Sequence, residues 1–142
     1  MAKKTPKTNA MRQLDTARIP YETIAYECDE KNFDGALVAE QVGLPCAQVF
    51  KTLVTRDDKG GIVVCCVPVD GKLDLKALAA AAGCKRVEMT RTDELLALTG
   101  YMRGGCSPVG MKKRFPTFID QSALGLDIMG VSAGQRGLQV MI

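Results

Sequence analysis

At 142 residues, with 46% hydrophobic and 25% charged side chains, the chain has the composition of an ordinary water-soluble domain. That length can bury roughly two-thirds of the unfolded surface around one core. The formal charge of +3 is too mild to hold a polyanion wholesale, so an anionic partner must be met by a local basic patch. There is no histidine, which excludes the Ser-His, Cys-His and His-metal forms of hydrolysis.

The N-terminus carries a basic arm, with Lys3, Lys4, Lys7 and Arg12 close together. A first helix is predicted from Thr8 to Ala17, with Thr8 or Asn9 as cap and Met11 and Leu14 on its apolar face; Pro20 prevents its continuation. Tyr21 to Glu27 alternates as a strand. The segment DGALVAEQVG reads as a second helix with Gly43 as its C′ residue. Gln48–Thr55 and Ile62–Val69 read as a hairpin around a loose turn at residues 57–61. Asp74 caps a helix LKALAAAA that Gly83 stops. Lys85 to Met89 is a short strand, and Thr90 with Asp93 forms a capping box for DELLAL. Thr117–Asp120, Asp127–Ser132 and Leu138–Ile142 read as closing strands, the last two joined at AGQRG. Strands and short helices interleave irregularly, which argues for a mixed α/β fold rather than a purely parallel sheet.

No apolar run approaches the roughly 18 residues of a membrane helix. The opening MAKKTPKTNAMRQ lacks the apolar core of a signal peptide, so a cytoplasmic protein is expected, with no membrane partner. The six cysteines, at 28, 46, 65, 66, 84 and 106, form no CxxC pair and no metal-type spacing, as suits small buried hydrophobes in a reducing compartment. Cys65 and Cys66 are adjacent in a strand and should face opposite sides.

Chemistry concentrates in GYMRGGCSPVGMKKRFPTFID, residues 100–120. Its glycines can bring backbone N–H groups close to a ligand, because they carry no Cβ to hold the ligand away. Cys106 is the thiol this loop would place near that ligand, and Lys112, Lys113 and Arg114 follow as a second basic cluster. A surface loop rich in turn residues with a solvated basic tip has the same composition. Lys51 is a lysine inside the strand VFKTLV, either on an exposed face or held at the wall of a pocket. Ser132, in GVSAGQRG, lies among small residues with Arg136 nearby.

Taken together and in order, VFKTL, VPVDGKLDLKALA, KRVEM, TGYMRGGCSPVGMKKRFPTFID and VSAGQRGL resemble the YbaK-type aminoacyl-tRNA deacylases. These are relatives of the editing domain inserted in bacterial prolyl-tRNA synthetases. The likeness runs from about Met11 to Ile142. It implies a single editing domain over residues 1–142, with a mixed, barrel-like β-sheet surrounded by short helices and a mobile basic arm over residues 1–8. It also implies an enzyme that removes a wrongly attached amino acid, most often cysteine, from tRNA(Pro) or tRNA(Cys). Alanine on tRNA(Pro) is the alternative cargo, and a non-catalytic tRNA- or synthetase-binding module the alternative class. No cofactor or metal is implied. The partners implied are aminoacyl-tRNA and, beyond it, prolyl-tRNA synthetase.

Residue by residue, the resemblance assigns catalysis to Lys51 and Gly104. It assigns substrate binding to Tyr26 and Phe33 at the entrance, Thr52 beside the lysine, Gly105, Cys106, Ser107 and Pro108 in the G-x-x-x-P loop, and Ser132. The Lys112, Lys113 and Arg114 cluster is expected to bind tRNA. The chain departs from the family pattern at Ala133, in place of a glycine, and at Gln139, where relatives carry an aspartate. An aminoacyl ester is already activated, so positioning and oxyanion stabilisation suffice and a missing histidine is no handicap. Backbone N–H groups of residues 104–106 could form the oxyanion hole. A cysteinyl substrate could supply its own thiol and leave as a thiolactone, which would make the enzyme a lyase rather than a hydrolase. A thiol-redox protein is disfavoured by the lack of a CxxC motif.

Overall fold

The structure, a computed structural model, describes residues 7–27, 35–103 and 105–142. Phe33 and Gly104 lie outside the described residues, as does the basic arm before Lys7.

Helix α1 spans Asn9–Thr16 and starts where the capping chemistry predicts. The Thr8 hydroxyl accepts the Met11 N–H at 3.2 Å, satisfying one donor the helix itself cannot. Ala10, Met11 and Leu14 are buried, and burying a Met or Leu side chain is worth about 1.5–3 kcal/mol. Strand β1 (Glu22–Ala25), helix α2 (Gly35–Val42) and a 3₁₀ turn at Cys46–Gln48 follow.

The central hairpin is β2 (Phe50–Asp57) and β3 (Ile62–Pro68), antiparallel with Lys51 opposite Val67 and Thr52 opposite Cys66. Its turn is held by the Asp57 carboxylate, which accepts the N–H groups of Lys59 at 2.9 Å and Gly61 at 2.7 Å. Helix α3 (Leu75–Ala82) is capped by Asp74, whose carboxylate accepts the Ala77 N–H at 3.0 Å, and ends on Gly83 at φ 75°. A non-glycine residue would be strained there.

Strand β4 (Val87–Met89) leads through a 3₁₀ turn at Thr92–Glu94 into the short α4 (Leu95–Thr99). The expected capping box is displaced by one residue. Glu94, not Asp93, reaches back to the Arg91 N–H at 3.0 Å, and the Thr90 hydroxyl donates to the Val54 carbonyl at 3.0 Å. Glu94 also meets the Arg56 guanidinium at 3.1 Å, tying this turn to β2.

Strands β5 (Thr117–Ile119), β6 (Gly130–Gln135) and β7 (Leu138–Met141) complete the chain. They belong to two sheets. One is antiparallel in the order β1-β7-β6, and the other runs β4-β2-β3-β5 with β5 parallel to β3. A parallel bridge between Val49 and Gly130 links them. The architecture is therefore mixed α/β with two sheets, and the single barrel-like sheet expected from the sequence is not formed. No helix among the described residues is long and apolar enough to cross a membrane.

The last hairpin also differs from expectation. Strand β6 starts at Gly130 and continues through Gln135, and the turn is Arg136-Gly137. Ala133 and Gly134 interrupt the register between the Ser132–Gln139 and Gln135–Leu138 pairs as a bulge. Gly134 has φ 92°, and a Cβ there would lie 2.7 Å from the Tyr101 ring. The glycine that reads as a turn residue is thus a contact residue.

Packing follows the strand period of two. Cys66 joins Met11, Leu14, Val131 and Val140 in the core under α1, whereas Cys65 joins Leu78, Ala79 and Val87 under α3. The two thiols face opposite sides as expected, and burial pushes Cys66 up to about 12.

Candidate active-site cleft

The seam between the two sheets opens into a cleft of about 260 Å³. Lys51 and Thr52 enter it from β2, Cys106 and Arg103 from the glycine loop, and Ser132 and Gln139 from β6 and β7. Val38, Val49 and Val69 give it an apolar side, and Tyr26 closes one edge. The Tyr26 N–H donates to the Gly137 carbonyl at 2.8 Å, which fixes that residue to the β6–β7 turn.

Five of the expected site residues therefore meet at one place: Tyr26, Lys51, Thr52, Cys106 and Ser132. Lys51 is half-buried at the cleft wall rather than standing on an exposed face, and among the described residues it makes no ion pair. The Thr52 hydroxyl sits 4.0 Å from the Cys66 sulfur. Ser132 accepts the Gly134 N–H at 3.2 Å, which ties its hydroxyl to the bulge.

The rest of the glycine loop supports the cleft without lining it. The Gly105 N–H is already committed to the Met102 carbonyl at 2.9 Å. A Cβ on Gly105 would lie 2.9 Å from the Arg136 nitrogen and 3.0 Å from the Gln135 carbonyl carbon. The loop is thus pressed backbone to backbone on the β6–β7 turn, and Arg136 fastens it further by donating to the Arg103 carbonyl at 2.7 Å. Ser107 is fully buried and accepts the Val109 N–H at 3.2 Å. Neither Ser107 nor Pro108 lines the cleft. Tyr101 braces the loop's far end by donating to the Val109 carbonyl at 2.7 Å. Cys106 is buried, which pushes its thiol up to about 11, so it stays protonated near neutral pH and forms wall rather than nucleophile.

Gln139 and Arg103 are cleft residues to which sequence reasoning gave no role. Gln139 stands opposite Ser132 in the β6–β7 ladder and is 5% exposed. Among the described residues its buried side-chain oxygen has no hydrogen-bond partner, a state that costs about 1–3 kcal/mol. The signal in the sequence was a polar residue between Leu138 and Val140, on the opposite face from both. Lys112, Lys113 and Arg114 are exposed and lie outside the cleft.

Residues 33–142 match the aminoacyl-tRNA editing domain family. The chain belongs to that family. It is 46% identical over 142 residues, 99% of this chain and 87% of the relative, to an Enterococcus faecalis protein named "Putative Cys-tRNA(Pro)/Cys-tRNA(Cys) deacylase EbsC". It is also 33% identical over 85 residues to a proline–tRNA ligase of Trichlorobacter lovleyi, covering 60% of this chain but only 15% of that larger enzyme. Among solved structures, one described as a putative trans-editing enzyme for prolyl tRNA synthetase superimposes with a TM-score of 0.81 at 22% identity, covering 97% of this chain and 88% of the other. That last likeness is one of fold. In this chain Lys51 of β2, Arg103 and Cys106 of the glycine loop, and Ser132 and Gln139 of the last hairpin line one cleft.

Proposed function

We propose that this editing domain works in trans as a deacylase, clearing cysteine wrongly attached to tRNA(Pro). The observation that carries the reading is the convergence of Lys51, Thr52, Cys106, Ser132 and Gln139 on one small, largely apolar cleft. The relative named as a Cys-tRNA(Pro)/Cys-tRNA(Cys) deacylase supports the choice of cargo.

In this reading Lys51 presents its ammonium to the ester or to the terminal phosphate. Tyr26 and Phe33 close the entrance. The orphaned Gln139 oxygen accepts from the substrate's α-ammonium group, and Ser132 and the Cys106 wall limit the side-chain space. Since the Gly105 N–H is spent on Met102, the oxyanion donors are the N–H groups of Gly104 and Cys106. Gly105, Ser107 and Pro108 then hold the loop in place rather than touching the substrate. With cysteine as cargo, the substrate sulfur bonds to its own carbonyl carbon and the ester C–O bond breaks. The ribose oxygen leaves with the thiol proton, releasing a thiolactone. Prolyl-tRNA synthetase is the partner that would present the tRNA.

A panel of Cys-tRNA(Pro), Ala-tRNA(Pro), Cys-tRNA(Cys) and Pro-tRNA(Pro) tests this reading. Preferential loss of cysteine from tRNA(Pro) is expected, and a faster rate on Ala-tRNA(Pro) would overturn the cargo. Failure on all of them would leave a tRNA-binding module. An S-methylcysteinyl substrate resolves the chemistry, because it should resist cleavage if the thiol attacks.

Gln139→Leu gives a separable prediction. Removing an unsatisfied buried acceptor should leave thermal stability unchanged or raise it. Losing a hydrogen bond from a charged amine should lower kcat/KM by at least about tenfold. Retained kcat/KM would show that Gln139 does not touch the substrate.

The basic cluster is expected to hold tRNA without choosing its amino acid. If Lys112, Lys113 and Arg114 each neutralise a phosphate, replacing all three should flatten the log–log salt dependence of binding by roughly 2 units. The ratio of rates on two mischarged tRNAs should stay the same. An unchanged slope would make the cluster ordinary surface charge.

A further inference from the structure

A second cleft, of about 360 Å³, lies against the first. Its own walls are Val54, Met89, Thr90, Thr92 and Leu95, from β2, β4, the turn that follows β4 and the start of α4. It shares Thr52, Leu53, Arg103 and Cys106 with the catalytic cleft. The two clefts are therefore neighbours across one stretch of β2 and one stretch of the glycine loop.

Building on the deacylase reading, we propose that this second cleft receives the 3′-terminal nucleoside of the tRNA acceptor end. The scissile ester is the only link between the amino acid and the ribose. Whatever holds the amino acid must therefore have the ribose and base within a few bonds of it, and the shared wall is where an ester joining the two clefts would lie. Charge agrees with this assignment. Among the described residues neither lining contains an Asp or Glu, while Arg103 stands at both and Lys51 at the first. A phosphodiester passing the junction would meet Lys51 and Arg103 and, among the described lining residues, no carboxylate.

The surfaces fit a nucleoside as well. Met89 is 48% exposed, and with Leu95 and Val54 it offers an adaptable apolar wall to a base face. The Thr90 hydroxyl spends its proton on the Val54 carbonyl, which leaves its oxygen free to accept from a ribose hydroxyl or an exocyclic amine. Thr92 is exposed at the mouth. The wall itself is firm, because Glu94 ties the turn that carries Thr92 to Arg56 on β2.

The trinucleotide CpCpA, without an amino acid, is the probe. Titrated into the whole protein and followed by backbone amide shifts, it should perturb Met89, Thr90, Thr92 and Leu95, whereas CpC should not. Thr92→Trp fills the mouth from an exposed position, and Met89→Glu adds a negative charge at the rim. Each should weaken CpCpA binding by about tenfold or more. Shifts confined to the Lys112–Arg114 cluster, or equal affinity in both variants, would overturn the assignment. Deacylation by the wild-type protein, measured alongside, separates the two ideas. CpCpA seated at Thr92 in a protein that deacylates nothing would remove the deacylase reading and keep the nucleoside site. Turnover without those shifts would do the reverse.

Discussion

Lys51→Ala is expected to slow deacylation of the preferred mischarged tRNA by about 10²- to 10³-fold while the protein stays folded. Lys51 reaches the cleft from the start of β2, where its backbone pairs with Val67 of β3. A cation on such a rigid strand is already in place when charge develops on the substrate, and no reorganisation is needed at that moment. The side chain makes no ion pair among the described residues, so truncation strands no described partner and the fold should be spared. Lys51→Arg should recover little activity, because a planar fork cannot occupy the space of a compact ammonium. Single-turnover deacylation and thermal unfolding on the same preparations are the measurements. Near-wild-type rates in a folded Lys51→Ala protein would return the residue to the role of surface lysine.

Gly105→Ala should be the most damaging single methyl group in the site. The new Cβ would stand 2.9 Å from the Arg136 nitrogen and 3.0 Å from the Gln135 carbonyl carbon. Both are backbone atoms of the last hairpin, so neither can rotate aside as a side chain could. Overpacking of this kind costs about 1–3 kcal/mol. The loop can escape only by lifting off the hairpin, which moves Cys106 and Arg103 away from Lys51. Both melting temperature and rate should fall, the rate by at least about tenfold even at temperatures where the variant is fully folded. Gly125→Ala is the matched control, since its Cβ would meet nothing within 4 Å and its φ is not positive. A Gly105→Ala protein as stable and as active as that control would mean that the loop is not pressed on the hairpin.

How much could be read from the sequence depended on how local the determining chemistry was. Thr8 and Asp74 announce their helices, and Gly83 ends one, because each acts on backbone groups within four residues of itself. The division into two sheets was hidden because it rests on pairings such as Glu22 with Met141 and Cys65 with Phe118, which no local pattern encodes. Gly134 misled for a related reason. A glycine among small residues reads as a turn, but this one makes room for the ring of Tyr101. The one-residue shift at α4 came from Arg56, whose position on a distant strand favours Glu94 as the returning carboxylate.

The site divided along the same line. Lys51 stood out as an anomaly within its strand, but whether it faced solvent or cavity depended on the second sheet. Gln139 lay two residues past a glycine turn in an apolar strand. Only the ladder to Ser132 shows that its amide oxygen is sealed into the cleft.

The pairing of β1 with β7 has a consequence for the life of the molecule on the ribosome. Strand β7 is the middle strand of its sheet, so β1 emerges during synthesis with no neighbour to pair with until residues 138–141 have followed it out. The hairpin of β2 and β3 can form early, since its contacts are close in sequence, but long-range pairings of the β1–β7 kind are slow to close. Ser132 and Gln139 reach their places only with that closure. The nascent domain thus acquires its Lys51 strand well before its opposing wall, and activity should appear abruptly as the last strand docks rather than gradually with length.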